Sequence, residues 1–121
     1  MESVARQPDV LLWHVTVTYA GPSVDVAELR HGLQMLMQQS PFLASARYAP
    51  DRVEVRYWEE AESLDDAAAM ALRLWCEHRS SAGLPDWCPV GLEVLDRQTV
   101  RRRGAAGRGQ APFVLGEVRP F

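Results

Sequence analysis

The sequence predicts an α+β fold: a ferredoxin-like βαββαβ sandwich, with an antiparallel sheet and two helices on one of its faces. Two observations carry this. Four segments between Val10 and Val100 alternate apolar and polar residues with period two, and two segments repeat their apolar residues at helical spacing. Their order is strand, helix, strand, strand, helix, strand, the split βαβ pattern, for which the expected neighbour order in the sheet is 4-1-3-2.

The first strand is Val10 to Tyr19. Leu11, Trp13, Val15, Val17 and Tyr19 share one face, and Leu12, His14, Thr16 and Thr18 the other. Ala20-Gly21-Pro22 ends it. Asp25 is placed to cap the first helix, with Glu28 three residues on, and Val24 and Leu29 are spaced as a hydrophobic staple. Val26, Leu29, Leu33, Leu36 and Met37 make its apolar stripe, and Ser40-Pro41 stops it. Gly32 lies inside this helix at a cost of about 1 kcal/mol relative to Ala. Phe42 to Tyr48 and Val53 to Trp58 are two strands joined by the Ala49-Pro50-Asp51 turn.

Ser63 begins the second helix, with Asp65 and Asp66 near its positive end. Leu64, Ala67, Ala68, Ala71, Leu72 and Trp75 form the expected buried stripe, widened by Met70 and Leu74. Gly83 terminates it. Val90, Leu92 and Val94 alternate with Glu93 and Leu95 in the fourth strand. The helix-facing set is then Trp13, Val15, Val17, Val53, Val55, Tyr57 and Val94.

Three segments are expected: residues 1–9 as a flexible N-terminus, 10–100 as the ferredoxin-like domain, and 101–121 as a basic, glycine-rich extension. Within the extension Phe113, Val114, Leu115 and Val118 suggest an extra edge strand, added to this sheet or to a partner's. With 121 residues and 47% apolar composition the chain can bury a core without disulfides. No apolar run reaches the roughly 18 residues of a membrane span. Residues 1–9 lack a signal-peptide core, and Cys76 and Cys88 do not form a disulfide framework. The expected setting is the cytoplasm. The chain has no Lys, Ile or Asn, which a GC-rich bacterial genome explains by codon usage.

Charge is uneven. Residues 1–100 carry a net −7 and residues 101–121 a net +4. An acidic body opposes long-range attraction to a polyanion, so nucleic acid is disfavoured as a partner.

The chemistry worth weighing lies on the sheet face away from the helices. By parity this face presents Leu12, His14, Arg47, Glu54, Arg56, Trp58, Glu93 and Leu95. It is too polar for a core and too aromatic for a bare solvated surface. A homodimer with face-to-face sheets would bury Leu12, Trp58 and Leu95, and a protein partner or small molecule would use the same residues. His14 is the only histidine placed mid-strand on that face; beside Glu54 it would serve as a general base or metal ligand, and its ordinary reading is a satisfied strand residue. Cys76 and His78 point to different sides of their helix and lack further ligands, so no metal site is expected. Cys76 reads as a small buried hydrophobe. No cofactor motif is present.

The element order is similar to that of small dimeric α+β barrel proteins, in pattern alone. The leading expectation is a non-catalytic homodimeric module that binds a partner or ligand. The first alternative is a small dimeric α+β barrel-type enzyme acting on an aromatic or polyketide-like substrate. There His14 would be the base, Trp58 the wall, and Arg47 or Arg56 the anion holder. The second is nucleic-acid binding through Arg101, Arg102, Arg103 and Arg108.

Overall fold

A computed structural model describes residues 11–39, 43–105 and 117–121. In chain order these form β1 (Leu11–Ala20), α1 (Val26–Gln39), β2 (Leu43–Ala49), β3 (Arg52–Ala61), α2 (Leu64–Ala82), β4 (Cys88–Asp96), α3 (Arg97–Ala105) and β5 (Glu117–Pro120). None of the described helices is long and apolar enough to cross a membrane.

The strands make a five-stranded sheet in the order β4-β1-β3-β2-β5. The pairs β1–β3, β1–β4 and β2–β3 are antiparallel, and β5 joins β2 in parallel. The sheet is therefore mixed, which corrects the expectation of a wholly antiparallel one. A C-terminal strand does form, on this chain's own sheet. Its register pairs Ser45 with Glu117 and Tyr48 with Pro120, and Phe121 N–H donates to Tyr48 O at 3.0 Å. Phe113, Val114 and Leu115, which suggested that strand, lie outside the described residues.

The period-two alternation of β1 and β3 sorts their side chains as expected. Trp13, Val15, Val17, Tyr19, Val53, Val55 and Tyr57 are buried beneath the helices, with Leu29, Leu33 and Leu36 from α1 and Ala71, Leu74 and Trp75 from α2. Val94 packs against this core half-buried. α1 begins as its sequence implies: Asp25 O accepts from Leu29 N–H at 3.0 Å and Asp25 Oδ1 from Ala27 N–H at 2.9 Å.

The buried stripe of α2 is narrower than its apolar residues suggest. Ala67, Ala71, Leu74, Trp75 and Ala82 are buried, whereas Leu64, Met70 and Leu72 are exposed. Cys76 is exposed too, which corrects its reading as a buried hydrophobe. The physical reason is angular: a helix on a sheet buries only the stripe it turns toward it, and residue 76 falls a full 100° beyond Trp75. Ser63 caps the helix by accepting from Asp66 N–H at 3.1 Å, and Gly83 closes it in the left-handed region at φ 73°.

An aromatic column ties the end of β1 to α2 and to the entry of β4. Tyr19 stacks on Trp75 at 4.4 Å between ring centroids, and Trp75 lies parallel to Trp87 at 6.1 Å. Each polar tip is satisfied by a backbone carbonyl: Tyr19 Oη donates to Ala71 O, Trp75 Nε1 to Pro85 O and Trp87 Nε1 to Pro22 O. Two glycines make room for this end of the molecule. A Cβ at Gly32 would come 2.9 Å from Leu84 Cδ2 and 3.2 Å from Ala82 O, so the helix penalty at Gly32 secures close packing of α1 on the end of α2. At Gly21 a Cβ would overlap the Trp87 indole.

Gly21→Ala should therefore push Trp87 off Trp75 and out of its bond to Pro22 O. The expected cost is about 1–3 kcal/mol, typical of overpacking, read as a Tm lower by several degrees. A melting curve identical to that of the unsubstituted protein would contradict this packing account.

Candidate functional site

Strand pairing arranges the second face of the sheet into rows, because residues opposed in register point the same way. Glu93, Thr16, Arg56, Ser45 and Glu117 form one row across β4, β1, β3, β2 and β5. Leu95, His14 and Trp58 form the row on one side of it, and Thr18, Glu54, Arg47 and Arg119 the row on the other. Leu12 sits half-buried beyond His14 on the same strand face. The sequence-derived face residues thus do come together on one surface. Glu117 and Arg119 are additions that only the pairing of β5 with β2 reveals.

This face is balanced in charge. Arg47, Arg56 and Arg119 stand among Glu54, Glu93 and Glu117, and the pairs are close: Arg56 Nε to Glu54 Oε1 is 3.2 Å and Arg119 Nη1 to Glu117 Oε2 is 3.5 Å. Glu93 is met by Arg103 Nη1 of α3 at 3.2 Å. A neutral face has little pull on a distant polyanion.

His14 is buried, at 7% exposure, with its ring edge-on to Trp58 at 5.0 Å and 69° between planes. Burial holds its pKa below the ordinary value of 6.5. Arg56 lowers it further and Glu93 partly opposes the shift. A neutral imidazole is therefore the native form near pH 7. Glu54 is engaged with Arg56, and among the described residues no three metal-ligating side chains cluster.

The arginine run is where the structure departs most from sequence expectation. Arg101, Arg102 and Arg103, expected at the start of a basic, glycine-rich extension, belong to α3, which starts at Arg97. Asp96 caps it, accepting from Thr99 N–H at 2.7 Å, and these bonds hold the Asp96 carboxyl below the usual carboxylate range. Among the described residues, α3 packs against β1 and β4. Its Arg103 meets Glu93, whose row partner is Thr16 on the second face.

Helical geometry then divides the arginines. Thr99 and Val100 are half-buried and lie on the side of Arg103. Arg97, Gln98, Arg101 and Arg102 share the opposite side and are exposed. The Arg103–Glu93 pair is itself half-exposed, at 52% and 49%, and is worth no more than about 1 kcal/mol. The Asp96 cap starts the helix, and Thr99 and Val100 are its half-buried residues. Arg97 lies outside the set that the sequence singles out; the signal of this helix was Asp96, an N-cap residue placed just before it. Arg108 lies outside the described residues.

Because neutral His14 stabilises the fold, its contribution is complete above pH 6.5, the unfolded value. It is lost as pH falls below 6.5 through the depressed folded value. Glu59, whose carboxyl is pushed up by burial and by Glu60, acts in the opposite sense. His14→Gln should therefore flatten the drop in Tm between pH 7.5 and pH 5 while leaving the Glu59 effect in place. Superimposable pH profiles for the two proteins would exclude His14 as the group responsible.

A family model described as a domain of unknown function (DUF8830) matches residues 12–111. No curated protein matches the chain. Among solved structures it is similar to a REP-associated tyrosine transposase bound to a REP hairpin, at 16% identity and a TM-score of 0.41, covering 92% of this chain and 76% of that one. The nucleic acid there is bound by that protein; for this chain, the expectation that nucleic acid is disfavoured as a partner is corrected on its own charges, because α3 sets Arg97, Arg101 and Arg102 on one exposed side that the whole-body balance hides. That expectation averaged charge over the whole body, whereas binding depends on the local field.

Proposed function

The chain belongs to the DUF8830 family, a domain of unknown function, and we propose that it is a nucleic-acid-binding module whose contact element is α3. The fold is read here as a ferredoxin-like unit extended by α3 and β5. One observation carries the functional reading: Arg97, Arg101 and Arg102 project from a single exposed side of a capped, docked helix. Guanidinium groups held on one helix side suit phosphate oxygens, since each presents several fixed donors. A helix also spaces them regularly, which a loop would not, and so lowers the entropy lost on binding.

The division of labour within α3 supports the same reading. Arg103 faces the sheet and is already matched by Glu93, while its three exposed neighbours have a charge excess on the solvent side. The second sheet face is neutral, so attraction to a polyanion is concentrated at the arginines of α3. The acidic body limits non-specific attachment elsewhere on the surface. The role proposed is binding without catalysis.

Fluorescence anisotropy with labelled DNA, over a series of salt concentrations, tests this. Three phosphate contacts should give a slope of log K against log[salt] of about −2 to −3. Replacing Arg97, Arg101 and Arg102 together by Ala should flatten the slope and weaken binding at least ten-fold. Equal affinity and slope in the triple variant would show that α3 is not the contact element.

A further inference from the structure

The two edges of the sheet are finished differently. β5, the outer strand on one side, is four residues long, carries Glu117 and Arg119 and ends on Pro120. Shortness, charge and proline protect a strand edge against further pairing. β4, the outer strand on the other side, is nine residues long and pairs, among the described residues, with β1 alone. One side of its backbone therefore offers N–H and C=O groups to a further strand. Pro89 and the irregularity opposite Thr18 and Tyr19 affect only its beginning, and its register with β1 is regular from Gly91 to Asp96.

This edge is also apolar. Leu92 and Val94 are opposed to Val17 and Val15, which are buried beneath the helices, so they point to the helical side. Val94 is half-buried, but Leu92 is 39% exposed and Val90 63%. α2 packs on β1 and β4, and α1 on β2 and β5. His78 and Ser81 bond to Gln39 of α1 and so mark the side of α2 that meets α1. Leu64, Ala68 and Leu72, spaced by four residues, fall on the opposite flank, the one that borders β4. Leu64 and Leu72 are exposed there. Half of the large exposed hydrophobics among the described residues thus line one edge of the molecule, a concentration that scattered surface residues do not show.

We propose that this edge joins two copies of the chain: β4 pairs antiparallel with β4 of a second copy about a two-fold axis at Leu92, and the Leu64–Leu72 flanks of the two α2 helices close over the junction. The second copy is argued from the fit of β4 to itself. A two-fold contact sets each residue opposite its counterpart across the axis. With the axis at Leu92, Leu92 meets Leu92 of the partner subunit and Val94 meets the partner's Val90, so apolar residues are opposed to apolar ones. Glu93 meets the partner's Gly91, so the two carboxylates are kept apart and each Glu93 keeps its Arg103. An axis one residue on, at Glu93, would set the carboxylates directly opposite each other, which is destabilising. The pairing makes one continuous sheet from the two and leaves both second faces uncovered. It does not depend on the α3 reading.

Light scattering and hydrogen exchange on the full-length protein test this. At micromolar concentration the mass should be twice the 13.6 kDa of one chain. The amides of Gly91 to Asp96 should lose protection as the protein is diluted to monomer. Leu92→Arg and Leu72→Glu, each at an exposed position, should both raise the dissociation constant roughly ten-fold or more. Both variants should melt as the unsubstituted protein does once that is diluted to monomer, which separates a lost contact from misfolding. Phe121→Glu, at the other edge, should leave the dissociation constant unchanged. A monomer at every concentration would overturn the proposal. So would a dimer that survives both substitutions with β4 exchange independent of concentration, since its interface would then lie elsewhere, such as on the second face.

Discussion

β1 is held by ladders on both sides, to β3 along its whole length and to β4 from Trp13 to Ala20. That double pairing leaves its alternate side chains only two destinations. Val15, Val17 and Tyr19 enter the helical core, and His14, Thr16 and Thr18 emerge on the other face. A slip of one residue would exchange the sets. At about 1.5–3 kcal/mol for each large apolar side chain taken out of the core, three such side chains alone would cost on the order of the whole stability of a small domain. The rows on the second face follow from this register, and so does the nearness of His14, Trp58 and Glu93.

The two faces are secured by different physics. On the helical side the aromatic column of Tyr19, Trp75 and Trp87 closes one end of the core, with its polar tips bonded to carbonyls. Gly21 and Gly32 permit the close approach that this requires. On the other side the charges alternate in sign and cancel, and α3 brings in the only described run of arginines. One face thus contributes stability, and the other carries balanced charge, with the exposed arginines of α3 near one corner.

The most legible parts of the sequence were those governed by local periodicity. β1 and β3 alternate so regularly that their buried residues could be named in advance, and Ser63 and Gly83 bound α2 as their chemistry implies. The failures have physical causes too. Leu64, Met70 and Leu72 look like core residues on a helix, yet which stripe of α2 is buried depends on how the helix sits on the sheet. α3 was hidden because it has little apolar face: its helical state depends on the Asp96 cap and on docking against β1 and β4. Composition alone made its arginines read as the start of a basic, glycine-rich extension.

By itself, then, the sequence determined the element order from β1 to β4, the side of each central strand that enters the core, and the membership of the second face in His14, Arg47, Glu54, Arg56, Trp58, Glu93 and Leu95. Those properties follow from spacing along one chain, where a period of two or 3.6 residues is enough to assign a direction. Only the tertiary structure decided that β5 joins β2 in parallel and adds Glu117 and Arg119 to that face. It also decided that α3 turns toward Glu93, with Arg97, Arg101 and Arg102 directed outward. These depend on pairings between segments remote in sequence, whose energies come from backbone ladders and docking contacts that no local pattern encodes.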